Sequence, residues 1–202
     1  MSIEVRDARR KLPAERHGEL LAKAVAISQS EGLAAVTLRR VATDLGVTPG
    51  LVSHYFSAAE QLIAATFRTA AEADLDQARA RVVAAASPSA QIAELMDYVL
   101  DDVSEEASAL WLDAWSLGRR NPTLAAEAAA LTDDWLALIG GIVRAGAATG
   151  EFAVPDADVA ARRLLILIDG LGAQKVIRAA ATDELKHIAR AYVATELGSH
   201  AG

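Results

Sequence analysis

Two groups of residues in this 202-residue chain have the types and spacing to recognise another molecule. The first lies in TLRRVATDLGVTPGLVSHYF, residues 37–56. Thr37 and Thr48 each place a hydroxyl at the start of a predicted short helix, where unpaired backbone N–H groups favour an anion such as phosphate. Arg39 and Arg40 add positive charge, and His54 and Tyr55 can donate to phosphate oxygens. Thr48, Pro49, Gly50, Ser53 and His54 fall on the outer, N-terminal side of the second helix, where a recognition helix meets base edges. Leu38, Val41, Ala42 and Leu45 form the opposite, buried face of the first helix. Small Ala42 lets the helices cross closely, Gly46 supplies the turn, and Val47, Leu51 and Val52 hold the second helix to the first. A generic helical hairpin would share the turn glycine. Agreement of spacing, caps and small-residue placement favours a helix-turn-helix that reads double-stranded DNA.

The second group is aromatic and acidic. Trp111 and Trp115 are four apart and share a helix face; Trp135 lies on a later helix and Tyr98 on an earlier one. In a chain with few aromatics these could line an apolar ligand cavity, or simply fill the core. Asp169 interrupts the apolar run LLILIDGLG, either as a hydrogen-bonded residue between helices or as the counter-charge of a bound cation. Asp101, Asp102, Glu105 and Glu106 cluster without a histidine nearby and read as a solvated face. Catalysis has little to work with. The four histidines, at 17, 54, 187 and 200, are scattered, and no Ser/His/Asp set, phosphate-binding glycine loop or His-Glu-x-x-His occurs. The chain contains no cysteine, which excludes disulfides and thiolate metal sites. Catalytic residues, metal and cofactor are therefore all expected to be absent.

The elements that position these groups read as all-α, because long Ala/Leu/Glu/Arg segments carry 3.6-residue apolar spacing and strand alternation is nearly missing. About nine helices are expected. The first runs from Ala14 to Ser30, with Leu20, Leu21, Ala24, Ile27 and Ser28 as its stripe and Gly32 as its stop. The two short helices of residues 37–55 follow. A long helix then opens on a Ser57–Glu60 capping box and runs to about Ala86. Body helices are expected near 89–106, 108–119, 122–149, 157–179 and 183–197. The chain divides into a DNA-binding head, residues 1–56, and a ligand-binding and dimerisation body, residues 57–202, joined by the long helix. The last two helices carry broad apolar sides. Leu164, Leu165, Ile168, Leu171 and Val176 on one, with Ile188 and Tyr192 on the other, are the expected dimer interface, and Gly170, Gly172 and Ala173 allow close crossing.

Net charge is −7 overall. Residues 1–56 hold eight Lys/Arg against six Asp/Glu (+2), and the remainder twelve against twenty-one (−9). Positive charge is thus concentrated where phosphates would sit, while an acidic body discourages non-specific binding to nucleic acid. The first fourteen residues are too charged for a signal peptide or anchor, and no apolar run approaches the roughly 18 residues a membrane span needs. A cytoplasmic protein without membrane contact is expected.

On residues 37–56 the chain resembles the TetR family of bacterial regulators. On VSHYF, WLDAWSLGRRNPTL and LIDGL it resembles the betaine-pathway repressor (BetI) branch of that family. The resemblance implies a three-helix head, a connecting helix, and a C-terminal helix pair that makes a four-helix interface with its twin. It also implies a homodimeric repressor that binds operator DNA and answers to a small-molecule effector, with a choline-like cation held by aromatic faces and an acid in the BetI branch. The family carries a phosphate-contacting lysine three residues after the phenylalanine; here Ala59 stands there. Losing one such contact should flatten the salt dependence by about 0.9 units, with Arg9, Arg10 or Lys11 compensating as an N-terminal arm. An enzyme, or a helical interaction module without DNA binding, are the alternative classes.

Overall fold

The computed structural model describes residues 12–101, 105–178 and 181–198. Arg9, Arg10, Lys11 and Asp102 lie outside them. Nine α-helices and one short 3₁₀ turn, and no strand, occur among the described residues.

Helix α1 (Pro13–Glu31) opens with proline at its first position and closes on Gly32, whose φ of +86° suits a residue without Cβ. It buries Leu20, Ala24, Ile27 and Ser28 of the expected stripe, while Leu21 is half-buried at its edge. The 3₁₀ turn Leu33–Ala35 follows, then α2 (Leu38–Leu45) and α3 (Pro49–Tyr55). The Thr37 hydroxyl accepts the Arg40 amide at 3.0 Å and the Thr48 hydroxyl accepts that of Leu51 at 3.3 Å, so both threonines cap as their spacing predicts. Gly46 takes the left-handed conformation between them, at φ +64°.

The connecting helix α4 (Ala59–Ala84) starts later than expected and its N-cap, Ala58, makes no side-chain bond. The expected Ser57–Glu60 box is absent; the Ser57 hydroxyl and amide instead both donate to the Gln61 side-chain oxygen, at 2.9 and 3.2 Å. The extended backbone of Ala58 moves the helix start one residue on, and Gln61, not Glu60, comes within reach.

The body comprises α5 (Pro88–Leu100), α6 (Glu105–Gly118), α7 (Pro122–Thr149), α8 (Ala157–Val176) and α9 (Thr182–Leu197). The expected 89–106 helix stops at Leu100. Asp101 there is extended at ψ 152°, while Asn121 and the left-handed Gly150 bound α7 as predicted. No described helix is long and apolar enough to cross a membrane.

Apolar packing does not divide at residue 56. One core gathers Leu20, Val41, Val52 and Phe56 with Leu62 and Phe67 of α4, and with Leu110, Ala114, Leu124 and Leu131 of α6 and α7. The other joins the far half of α4 to α5, α7, α8 and α9 through Leu75, Leu95, Trp135, Ile139 and Leu164. Trp111 packs against both. The head therefore rests directly on the body's central helices, and a displacement in α6 is felt in both cores.

Candidate DNA-reading face and ligand cavity

The local signals of residues 37–56 place all but one of the expected DNA-facing residues at the surface. Thr37, Arg39, Thr48, Pro49, Gly50, Ser53 and His54 are exposed, while Val52 beneath them is completely buried. Tyr55 is half-buried. His54 meets its ring edge-on at 5.3 Å, and His17 of α1 stacks on Phe56 at 5.0 Å. Both threonine oxygens accept their own helix amides and keep the hydroxyl proton to donate, which suits a phosphate oxygen. Arg40 is a correction. Its guanidinium is taken by Glu31, at 2.6 and 2.8 Å, and by Asp44 at 3.0 Å, so its charge is spent within the head. Arg39 is exposed and makes no ion pair with any described residue.

The aromatic and acidic group, spread over 72 positions of sequence, comes together. Tyr98, Trp111, Trp115, Trp135 and Asp169 all line one cavity of about 240 Å³ between α4, α5, α6, α7 and α8. Ser108, Thr132, Leu165 and Ile168 complete its walls, with Trp115 at the exposed rim and Trp135 deep in the core. Trp111 lies 5.9 Å from Trp115 between ring centroids, tilted by 45°, and meets buried Phe67 edge-on at 5.0 Å. The indole N–H of Trp135 is buried with no acceptor among the described residues.

Asp74 of α4 is the residue that sequence reasoning missed. It lines the same cavity and accepts the Tyr98 hydroxyl at 2.6 Å. Its signal was faint: one acid among the many on a helix whose apolar pattern is read as continuous. Burial pushes its carboxyl up from the ordinary range, against the pull of the Tyr98 bond. Burial alone lifts Asp169 to about 6, and no described residue donates to it. Burial, then its bond to Asp74, raises the Tyr98 phenol, while Arg81 covers its ring at 5.1 Å. The cavity thus has aromatic walls and two acidic side chains, neither in an ion pair with a described residue, and Asp169 has no hydrogen-bond donor among them either. A small organic cation meets both needs. No group of His, Asp and Glu among the described residues could hold a metal ion.

Residues 20–86 match the family described as bacterial regulatory proteins, tetR family, and residues 88–198 match the family described as BetI-type transcriptional repressor, C-terminal. The chain belongs to the TetR family, in its BetI-type branch. It is 33% identical to the HTH-type transcriptional regulator BetI of Rhizobium meliloti over 108 residues, 52% of this chain and 53% of that one. Against BetI 1 of Chromohalobacter salexigens identity is 29% over 197 residues, 92% and 94% of the two chains. The first of these alignments spans about half the length of the relative it matches. Among solved structures, the fold resembles a transcriptional regulator from Saccharomonospora viridis in complex with choline. That likeness has a TM-score of 0.78 and 23% identity, and covers 89% of this chain and 96% of that one.

The seven apolar residues expected at a dimer interface on α8 and α9 fall on different sides of those helices. Leu164, Leu165 and Leu171 are buried within the protomer and Leu165 and Ile168 line the cavity, while Leu171 also borders the outer groove that holds Ile166, Ile188 and Tyr192. Val176 is half-buried. Only Ile188 and Tyr192 of the expected seven are exposed, and they stand beside Ile166, which is 64% exposed and was not singled out. Gly170 is open on the same side, whereas Gly172 faces inward, where an added Cβ would sit 2.9 Å from Ser108 Oγ. Helix α8 is apolar around most of its circumference; its pattern shows how wide the face is but not which edge the protomer buries.

Proposed function

We propose that this chain is a homodimeric DNA-binding transcriptional repressor of the bacterial cytoplasm, which releases its operator when a small organic cation of the choline type enters the cavity. It acts by binding rather than catalysis. The observation that carries the reading is the cavity itself. Aromatic walls and the unpaired Asp169 converge there from separate helices, and its volume of about 240 Å³ lies just under the ~300–1,000 Å³ usual for drug-sized ligands. A compact quaternary ammonium fits that size, and choline bound to the Saccharomonospora viridis regulator supports the class.

In this reading Trp111, Trp115, Trp135 and Tyr98 offer π faces to the cation, and Asp169 supplies the counter-charge. Arg39 and the α3 face of Thr48, Pro49, Gly50, Ser53 and His54 meet the duplex, with Thr37 and Tyr55 on phosphate. Ile166, Ile188 and Tyr192 pair with a second copy, which sets two recognition helices one turn apart, ~34 Å. Ligand shifts the population away from the DNA-competent spacing of the heads; a bias of a few kcal/mol is enough to empty the operator.

A mobility shift with the intergenic DNA beside the gene tests this. The protein should retard the fragment at physiological salt, choline should release it, and Tyr55→Ala should abolish the shift while calorimetric choline binding persists. No retardation under any ligand condition, or no heat with choline and betaine aldehyde, would count against the respective half of the reading.

A further inference from the structure

We infer that Asp113 is the positioning residue through which the cavity sets the position of the DNA-reading head, along a route that bypasses the connecting helix. This rests on the reading of head and cavity proposed above.

Helix α6 has two working faces. On one, Ser108, Trp111 and Trp115 line the cavity. On the other, Leu110 and Ala114 belong to the head-side core, and Asp113 reaches out of the body to accept the Leu33 amide at 2.6 Å. That bond joins residues 80 positions apart and is charge-assisted, so it is shorter and stronger than a neutral one. It is made at the 3₁₀ turn, and only three residues separate Leu33 from Thr37, whose hydroxyl caps α2. Helix α2 carries Val41 and Ala42, against which the recognition helix is seated.

The steric fit at both flanks of α6 argues that its movement is transmitted rather than absorbed. Toward α8 it abuts Gly172, where a Cβ would stand 2.9 Å from Ser108 Oγ. Toward the head it abuts Gly32, at φ +86°, where a Cβ would stand 3.0 Å from the same Asp113 oxygen that holds Leu33. At both contacts the opposing residue is a glycine, so the backbone on that side lies close to α6 with no side chain in between, and the contact is made by Ser108 and Asp113 of α6 alone. Apolar contacts such as those of Leu110 and Ala114 are non-directional and allow sliding. A hydrogen bond does not: it is lost by ~3.6 Å, so about 1 Å of motion separates the bond made from the bond broken. When Trp111 and Trp115 close on a cation, Asp113 moves with the same helix, and the turn that leads into α2 is released or re-aimed.

The test compares wild type with Asp113→Ala and Asp113→Asn. Choline affinity is measured by calorimetry without DNA, and affinity for the intergenic fragment with and without saturating choline. In wild type choline should weaken DNA binding at least tenfold. Asp113→Ala should bind choline within twofold of wild type while that ratio falls toward one, and Asp113→Asn, which keeps an acceptor oxygen, should lie between. Wild type that fails to bind choline or DNA overturns the functional reading and this inference with it. Choline binding with an unchanged ratio in Asp113→Ala overturns this inference alone and assigns the coupling to α4, where Asp74 enters the cavity. Should Asp113→Ala fail to fold, exchange of the Leu33 amide in wild type decides: choline should change its rate at least fivefold, and an unchanged rate overturns the inference.

Discussion

The DNA-reading face and the ligand cavity are built by opposite means. The first is assembled from a twenty-residue segment in which caps, turn and apolar face are all local. The second takes its walls from five helices and brings residues from Asp74 to Asp169 against one another. A local site is stable to changes elsewhere but offers little room for control. An assembled site exists only while its helices keep their spacing, and that sensitivity is what lets a ligand act on them.

Several substitutions test that contrast. The largest effect is expected at Trp135, buried at 5% exposure in the body core. Trp135→Ala should cost about 3–5 kcal/mol in chemical denaturation and remove choline binding. If stability falls by less than 1 kcal/mol, the indole is not part of the packing that shapes the cavity. In the head, Ala42→Leu overfills the α2–α3 crossing, where Ala42 is 1% exposed, and should cost roughly 1–3 kcal/mol. It should abolish operator binding with choline affinity within twofold of wild type; equal loss of both would show that the two sites are not separable.

Asp169 gives a finer test. Its carboxyl is held at about 6 by burial, above the ~3.9 of an unfolded chain. The folded protein therefore holds that proton more tightly, and between about pH 4 and 6 this group's contribution to stability falls as pH rises. Cation binding needs the ionised form, so wild-type choline affinity should drop roughly tenfold from pH 7 to pH 5. Asp169→Asn should bind choline more weakly and with a flat profile, as read by calorimetry across that range. A wild-type profile that is also flat would remove Asp169 as counter-charge. The smallest effect is expected at the head's surface: Thr48→Ala loses the cap of α3 at a cost of about 1 kcal/mol. It should weaken operator affinity several-fold and leave the cavity untouched, which thermal melts with and without choline can check.

How far each region is legible in sequence follows from the same contrast. Thr37, Gly46 and Thr48 announce α2 and α3 because cap and turn chemistry depend on neighbours three or four residues away. Arg40 is the limit of that legibility. Its exposure and charge are local, but its capture by Glu31 needs the α1–α2 crossing. In the body, Trp111 and Trp115 announce a shared face, and Asp169 stands out because it breaks an apolar run. Asp74 does not stand out, since an acid on a helix rich in charged residues carries no such contrast. Leu164 and Ile166 show the remaining difficulty. Both are aliphatic, two positions apart on α8, yet one is fully buried and the other mostly exposed.

From the order of residues alone came the helical class, the helix-turn-helix with its outward side chains, and the inventory of aromatic and acidic groups from which a cavity could be made. Helix packing settled the rest: that those groups meet around one space, that Asp74 joins them, that Ile166 rather than Leu164 faces outward, and that Asp113 ties the body to the head. Periodicity and capping act over a few residues and are written in the chain. Which faces meet depends on the combined fit of the nine described helices, and no single segment contains that information.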